Sequence, residues 1–213
     1  MMGVDFMIEF SLEDGEFLVK VAREAIKTWL KYKRKISFMK DAPEKTKQNY
    51  GVFVTLTKAY THELRGCIGY PFPVKPLVEA TIESAIEAAT GDPRFKPVTL
   101  EELESNIIVE VSILTPPKLI EVENPMDYPK KIVIGEDGLI VEKGFFKGLL
   151  LPQVAVEWNM DAEEFLSNCC LKAGLPPDAW LNKEVKISKF QAIIFAEETP
   201  NGKIIKKDLK KLL

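Results

Sequence analysis

The sequence predicts an α+β protein, in which an antiparallel-rich sheet is flanked by helices and a smaller second subdomain is present. Strand and helix patterns do not alternate regularly enough for a doubly wound parallel sheet, and turn signals between strand patterns favour hairpins. The irregular segment from Pro116 to Tyr128 marks the smaller subdomain. We therefore expect residues 1–213 to form one domain, with part of the region 116–180 contributing the smaller subdomain.

The composition bounds the class of protein. With 46% hydrophobic residues, the chain can bury a sizeable core. The cysteines Cys67, Cys169 and Cys170 are odd in number and lack metal-ligand spacing, so we expect reduced thiols. The first residues show no signal-peptide pattern and no run of about 18 apolar residues occurs, which predicts a cytoplasmic protein without a membrane span. A net charge of -3 gives no general attraction for nucleic acid, and the excess of lysine over arginine is typical of heat-adapted proteins.

The first helix is predicted by its start signal. Ser11 can act as the N-cap with Asp14 three residues later, and apolar residues then recur at helical spacing. The helix should end near residues 31–35, and residues 36–50 are typical of a loop.

The first strands follow that loop. Residues 51–57 are β-branched and aromatic, which predicts a strand, and a turn at residues 60–62 sends the chain back through residues 63–70. Prolines then end the second strand, and residues 77–89 predict a helix that stops at Gly91.

A short helix and a strand come next. Thr99 with Glu102 is a capping-box pattern, and residues 107–114 alternate in a way that predicts a strand with one core face. Residues 131–134 and 139–142 flank a turn-forming segment and predict a hairpin.

The last third mixes both element types. Residues 147–152 predict a short buried strand, and a helix should begin at Gln153 after a proline. Asp161 opens another helix that stops at Gly174. A final strand pair is expected around residues 185–195, before a lysine-rich end.

The best candidate site is the hexapeptide Leu64-Arg65-Gly66-Cys67-Ile68-Gly69. Gly66 and Gly69 allow a turn or the close approach of a ligand, and Arg65 carries a planar fork suited to carboxylate or phosphate. A cation near Cys67 would lower the pKa of its thiol and make it a candidate nucleophile. The alternative is that Cys67 is simply a packed core residue. A Cys67–His62 pair is disfavoured because an odd offset along a strand points to opposite faces.

Four motifs, in this order along the chain, resemble the AMMECR domain family. They are the hexapeptide 64–69, Asp92-Pro93-Arg94-Phe95 with Pro97, Leu150-Leu151-Pro152-Gln153-Val154 with Glu157 and Trp158, and the stretch from Phe165-Leu166 through Cys170–Leu175 to Trp180. This resemblance implies a larger α/β domain with a smaller one and the hexapeptide in a cleft. It also implies an association with Memo-type metalloenzymes or radical-SAM proteins. It implies no settled activity.

Arg94 and Gln153 lie inside these motifs and complete the predicted ligand-binding set with Arg65, Gly66 and Gly69. We expect Arg65 and Arg94 to converge on one anion pocket beside Cys67, with an acidic residue such as Asp92 offsetting their repulsion. The alternative for Arg94 is a structural role, bridging loop carbonyls and Asp92. For Gln153 the alternative is helix capping.

The leading functional hypothesis is therefore a cleft protein for a small anionic or carbonyl-bearing ligand, with Cys67 as candidate nucleophile. The second is a non-catalytic module that recognises a protein or nucleic acid. Basic clusters at residues 31–35 and 203–211 lack the aromatic platforms that nucleic-acid binding needs. One histidine does not favour a zinc site built from protein ligands, and the sequence leaves the cofactor unknown.

Overall fold

The computed structural model describes residues 9–37 and 40–208. Contacts between residues divide the chain into two compact units. Of the described residues, the first contains those up to Thr115 together with Ile193–Lys207, and the second contains Pro116–Ala192 and Asp208. Both units combine helices with antiparallel strands, which confirms the predicted α+β class.

The elements of the described residues run in this order. The helices are α1 (Leu12–Tyr32), α2 (Leu77–Thr90), α3 (Leu100–Asn106), α4 (Pro152–Glu157) and α5 (Ala162–Lys172). The strands are β1 (Gly51–Lys58), β2 (Leu64–Tyr70), β3 (Ile107–Leu114), β4 (Lys118–Leu119), β5 (Asp137–Lys143), β6 (Phe146–Leu150), β7 (Lys186–Glu197) and β8 (Ile204–Lys207). Short 3-10 turns occupy Glu44–Lys47, Pro125–Lys131 and Ala179–Leu181.

In the first unit, the strands lie in the order β2-β1-β3 and continue into the last residues of β7, which also pair with β8. Helices α1 and α2 bury their apolar sides against one face of this sheet, so that Leu18, Ile26, Leu77 and Val54 are fully buried. Burial of this kind stabilises the fold by roughly 25 cal/mol per Å² of apolar surface.

Local start signals of helices are confirmed. Ser11 and Asp14 form a reciprocal capping box at the start of α1, and Asp161 and Glu164 form another at the start of α5. The left-handed Gly174 follows α5, as predicted for a helix stop. Since these signals act over three or four residues, they are readable without knowledge of the tertiary fold.

The prediction for β3 was incomplete. Its alternate residues Ile107, Val109, Val111 and Ile113 form the predicted core face. The opposite face is buried as well, including Glu110 and Ser112.

In the second unit, β5 pairs with both β6 and β7, and α4 and α5 belong to the same apolar cluster as the buried side chains of β5. The predicted hairpin at residues 131–142 is wrong. Residues up to Lys131 form a 3-10 turn, and the hairpin is β5–β6, closed by Gly144 with a left-handed backbone. The final strand pair was also misplaced, since residues 186–197 form the single strand β7 and its partner β8 lies in the lysine-rich end.

Candidate functional site

The hexapeptide occupies β2, which is an edge strand of the first unit. Cys67 lies directly opposite Thr55 of β1. The backbone N–H of Cys67 donates to Asp92 rather than to β1, so Cys67 and Thr55 form a non-hydrogen-bonded pair, in which side chains come closest. Accordingly, Thr55 Oγ1 lies 3.4 Å from the Cys67 sulfur.

Packing within the fold explains both glycines of the hexapeptide. A Cβ at Gly66 would overlap the carbonyl oxygen of Ala88, because α2 crosses β2 at that point. A Cβ at Gly69 would overlap the carbonyl oxygen of Val52 and the ring of Phe53. Packing alone therefore requires glycine at these positions, and their predicted role in ligand approach stays a prediction.

The carboxylate of Asp92 ties the turn after α2 to Cys67. Its Oδ2 accepts from the Cys67 N–H at 2.9 Å and from Arg94 Nη2 at 2.7 Å, while its Oδ1 accepts from the backbone and Nε of Arg94. Arg94 Nη2 also approaches the Cys67 carbonyl at 3.4 Å. The backbone of Cys67 is thus held on both its donor and its acceptor, at the side of β2 that faces away from β1.

Asp92 is buried, with 2% of its side chain exposed. The hydrogen bonds from Arg94 lower the pKa of Asp92 to about 2, with a further contribution from the Cys67 N–H. The carboxylate is therefore charged at all pH values near neutrality.

Arg65 has a different environment from Arg94. Its Nε and Nη2 bind the carboxylate of Glu102, and its Nη1 binds the carbonyl oxygen of Lys96 at 2.8 Å. Only 12% of its side chain is exposed, against 50% for Arg94. Glu102 was predicted to complete a capping box with Thr99, but only Thr99 caps α3, because the Glu102 carboxylate binds Arg65.

The two guanidinium groups share one aromatic neighbour. The central carbon of Arg65 lies 5.9 Å from the centroid of the Phe95 ring, and that of Arg94 lies 5.4 Å from it. Arg65 and Arg94 therefore converge on one region, 29 positions apart in sequence. Each has its own carboxylate partner, so their positive charges are already balanced.

The Cys67 thiol is half-buried, and burial raises its pKa above the ordinary value. The Thr55 hydroxyl and the charge of Arg94 oppose this rise, while Glu110 and Asp92 add to it. The expected lowering of the pKa by Arg65 is therefore not found. The protein holds Cys67 as a neutral thiol near pH 7.

A second polar cluster lies at the other end of β2. Glu83 of α2 accepts from the Tyr70 hydroxyl at 2.7 Å and forms ion pairs with Lys75 and Lys35. These bonds, from Lys75 first, lower the pKa of Glu83 to about 2. Glu83 thus ties the strand to the helix and to the turn between them.

The remaining predicted residues lie elsewhere. Gln153 is buried in the first turn of α4, in the second unit, and its predicted ligand-binding role stays a prediction. His62 is exposed, in a left-handed turn before β2. Within the part of the chain that the structure describes, no group of three or more histidine, cysteine, aspartate or glutamate side chains could hold a metal ion, and no helix is long and apolar enough to cross a membrane.

Sequence reasoning missed two of the three partners that organise the site. Thr55 and Glu102 had no local signal, because they meet Cys67 and Arg65 only when the sheet forms. Asp92 was predicted as an acidic partner of the arginines, and it does bind both the backbone N–H and the guanidinium of Arg94, two positions later.

Comparisons with known proteins agree with the motif order. A family model for AMMECR1 matches residues 19–195. Among relatives, protein PF1979 of Pyrococcus furiosus is 57% identical over 92% of this chain and 94% of its own length. Protein MJ0810 of Methanocaldococcus jannaschii is 55% identical over 93% and 98%. The crystal structure of the uncharacterized protein PH0010 from Pyrococcus horikoshii, which is 56% identical, superposes with a TM-score of 0.89 over 92% of this chain and 97% of that one.

Proposed function

This chain belongs to the AMMECR1 family, and we propose that it binds a ligand carrying a carbonyl or carboxyl oxygen at the outer edge of β2. Arg94 is the proposed donor to that oxygen, and the Cys67 thiol is the neighbouring contact. The chain then works as a recognition module.

One observation carries the proposal. Among the described residues, Nη1 of Arg94 has no hydrogen-bond partner, while Nε and Nη2 hold Asp92 and Nη2 also approaches the Cys67 carbonyl. A half-exposed guanidinium is thus fixed in place with one donor nitrogen, Nη1, left for solvent or a ligand. Such donors, placed in advance by buried partners, bind at little cost in conformational entropy.

The structure weighs against Arg65 as the ligand donor, because Glu102 and the Lys96 carbonyl engage all three of its nitrogens. Cys67 takes part as a thiol. To act as a nucleophile it would first have to lose its proton, since burial raises its pKa. Under this proposal a reaction on the ligand belongs to a separate enzyme. Memo-type and radical-SAM proteins are the first purified partners to test.

The test uses the thiol as a reporter. Iodoacetamide carries a carbonyl oxygen and 4-vinylpyridine does not, and both alkylate thiolates. We expect the ratio of the two rates at Cys67 to fall about fivefold in Arg94→Met, the loss of about one hydrogen bond. Dividing one rate by the other removes any change in the pKa of the thiol.

Arg34→Met is the matched control, because Arg34 is exposed in the same unit and, among the described residues, its guanidinium forms no ion pair and lies over the ring of Tyr32. Peptide-resolved mass spectrometry separates Cys67 from Cys169 and Cys170. A ratio that is the same in Arg94→Met as in the unmodified chain would refute the proposal.

A further inference from the structure

We infer that Asp92 determines the ligand class of this site and makes it selective for neutral carbonyl groups, such as amides, over carboxylates and phosphates. The inference rests on the proposed function, since it concerns the same Arg94 donor.

The first argument is the balance of charge. Both arginines beside Cys67 already have a carboxylate partner: Arg65 pairs with Glu102, and Arg94 with Asp92. On β3, Glu110 lies opposite Thr55 and pairs with Lys207. An incoming anion would lose hydration and meet no net positive charge, whereas a neutral carbonyl loses little hydration.

The second argument is the shape of the remaining donor. A guanidinium binds carboxylate or phosphate best through two parallel N–H groups. In Arg94, Nε and Nη2 both point to Asp92, and the remaining approach of Nη2 is toward the Cys67 carbonyl. Only the two N–H groups of Nη1 are left, and because they diverge from one nitrogen they cannot form the parallel pair that a carboxylate or phosphate prefers; each suits a single acceptor oxygen.

The third argument is that a ligand cannot easily displace Asp92. The carboxylate is buried and accepts from two backbone N–H groups as well as from the guanidinium. An anion that took its place on Arg94 would leave Asp92 charged, buried and partly unpaired, which is costly.

The experiment compares two reagents of nearly equal size. Iodoacetate carries a carboxylate and iodoacetamide a neutral amide, and the ratio of their rates at Cys67 is referred to that of a small free thiol. In the unmodified chain we expect a ratio of iodoacetate to iodoacetamide about twofold below that of the free thiol and little dependent on salt. In Asp92→Asn we expect the ratio to rise about fivefold at low salt and to return at high salt, because the charge of Arg94 is no longer balanced.

If Asp92→Asn does not fold, the same ratio of iodoacetate to iodoacetamide is measured in Arg94→Met. There the uncompensated Asp92 should repel iodoacetate and lower the ratio about fivefold below that of the free thiol. A ratio in the unmodified chain that equals or exceeds that of the free thiol, or an unshifted ratio in both variants, overturns the inference. If Arg94→Met leaves the iodoacetamide to 4-vinylpyridine ratio unchanged, the proposed function falls and takes this inference with it. If that ratio falls but the chain still prefers iodoacetate, only the inference is lost.

Discussion

The two units contain the same packing arrangement but place their cysteines differently. In the first unit α2 crosses β2 at Gly66, and in the second α5 crosses β6 at Gly148, where a Cβ would overlap the backbone of Cys169 and Ala173. Cys67 follows Gly66 on the strand, so its side chain points away from the helix. Cys169 lies on the helix and is buried between helix and sheet, with its sulfur near the carbonyl oxygens of Leu139 and Gly148.

Because of this difference, the Cys169 thiol is packed in the core, whereas the Cys67 thiol can contact a ligand. Burial raises the pKa of Cys169 to about 12, and only hydrogen bonds with the backbone of Val141 and Leu150 oppose this rise. Cys67 is only half-buried, and Thr55 and the charge of Arg94 act on it. A cysteine on the strand, next to the glycine where a helix crosses, has its side chain on the uncovered face of the sheet and can be reached by a reagent or a ligand. A cysteine on the crossing helix is buried against the sheet.

The largest expected effect is the contrast in alkylation. Cys67 should react with iodoacetamide on the order of 1000-fold faster than Cys169 at pH 8, because Cys169 must wait for local unfolding that costs several kcal/mol. Rates at each cysteine come from mass spectrometry of peptides after timed quenching. Similar rates at Cys67 and Cys169 would remove the distinction between the two regions.

The next largest effect is the loss of stability when the glycine at either helix–strand crossing is replaced. Gly66→Ala and Gly148→Ala should each lower the free energy of unfolding by about 3 kcal/mol, because the added methyl group meets helix backbone that cannot move aside. Urea titration followed by circular dichroism measures the loss.

Gly144→Ala is the control for these glycines. It has open space around it but a left-handed backbone, so the expected cost is about 1 kcal/mol. A cost at Gly66 no larger than at Gly144 would show that α2 and β2 are not held as closely as the structure indicates.

The smallest expected effect is the loss of folding stability at low pH when Asp92 is protonated. The pKa of Asp92 is about 2 in the folded chain, below its ordinary value of 3.8, so its contribution to stability is present above about pH 4 and is lost as pH falls toward 2. The loss should be about 2 kcal/mol, and Asp92→Asn should remove it. Glu83 has a similarly low pKa, so Glu83→Gln identifies its own share of the dependence of the unfolding free energy on pH. Identical acid profiles for Asp92→Asn and the unmodified chain would contradict this assignment.

What the sequence predicts depends on how far apart the interacting residues are. The start of α1 at Ser11 needs only Asp14, and it was predicted correctly. The hairpin at residues 131–142 was a local error, because the chain turns at Gly144 between β5 and β6 and residues up to Lys131 form a 3-10 turn. The pairing of β5 with β7 is the part that depends on distant residues, and the sequence did not predict it.

The candidate site followed the same rule. The hexapeptide was identified from its residue types. Its electrostatics depend on pairs 37 and 25 positions apart, Arg65 with Glu102 and Cys67 with Asp92, and local patterns carry no information about them. Glu102 illustrates this, because its carboxylate could either complete the local cap of α3 or bind the distant Arg65. In the structure it binds Arg65, since an ion pair with two hydrogen bonds is the stronger interaction.

The hold of Asp92 and Arg94 on the Cys67 backbone also bears on aggregation. An edge strand offers unpaired N–H and carbonyl groups to which strands of other molecules can add. At Cys67 both groups are already engaged by side chains, and Pro71 and Pro73, just beyond the strand, have no N–H to offer. The turn after α2 therefore acts as a terminator of the sheet, and loss of the Asp92 carboxylate would turn this edge into a template for intermolecular β-pairing.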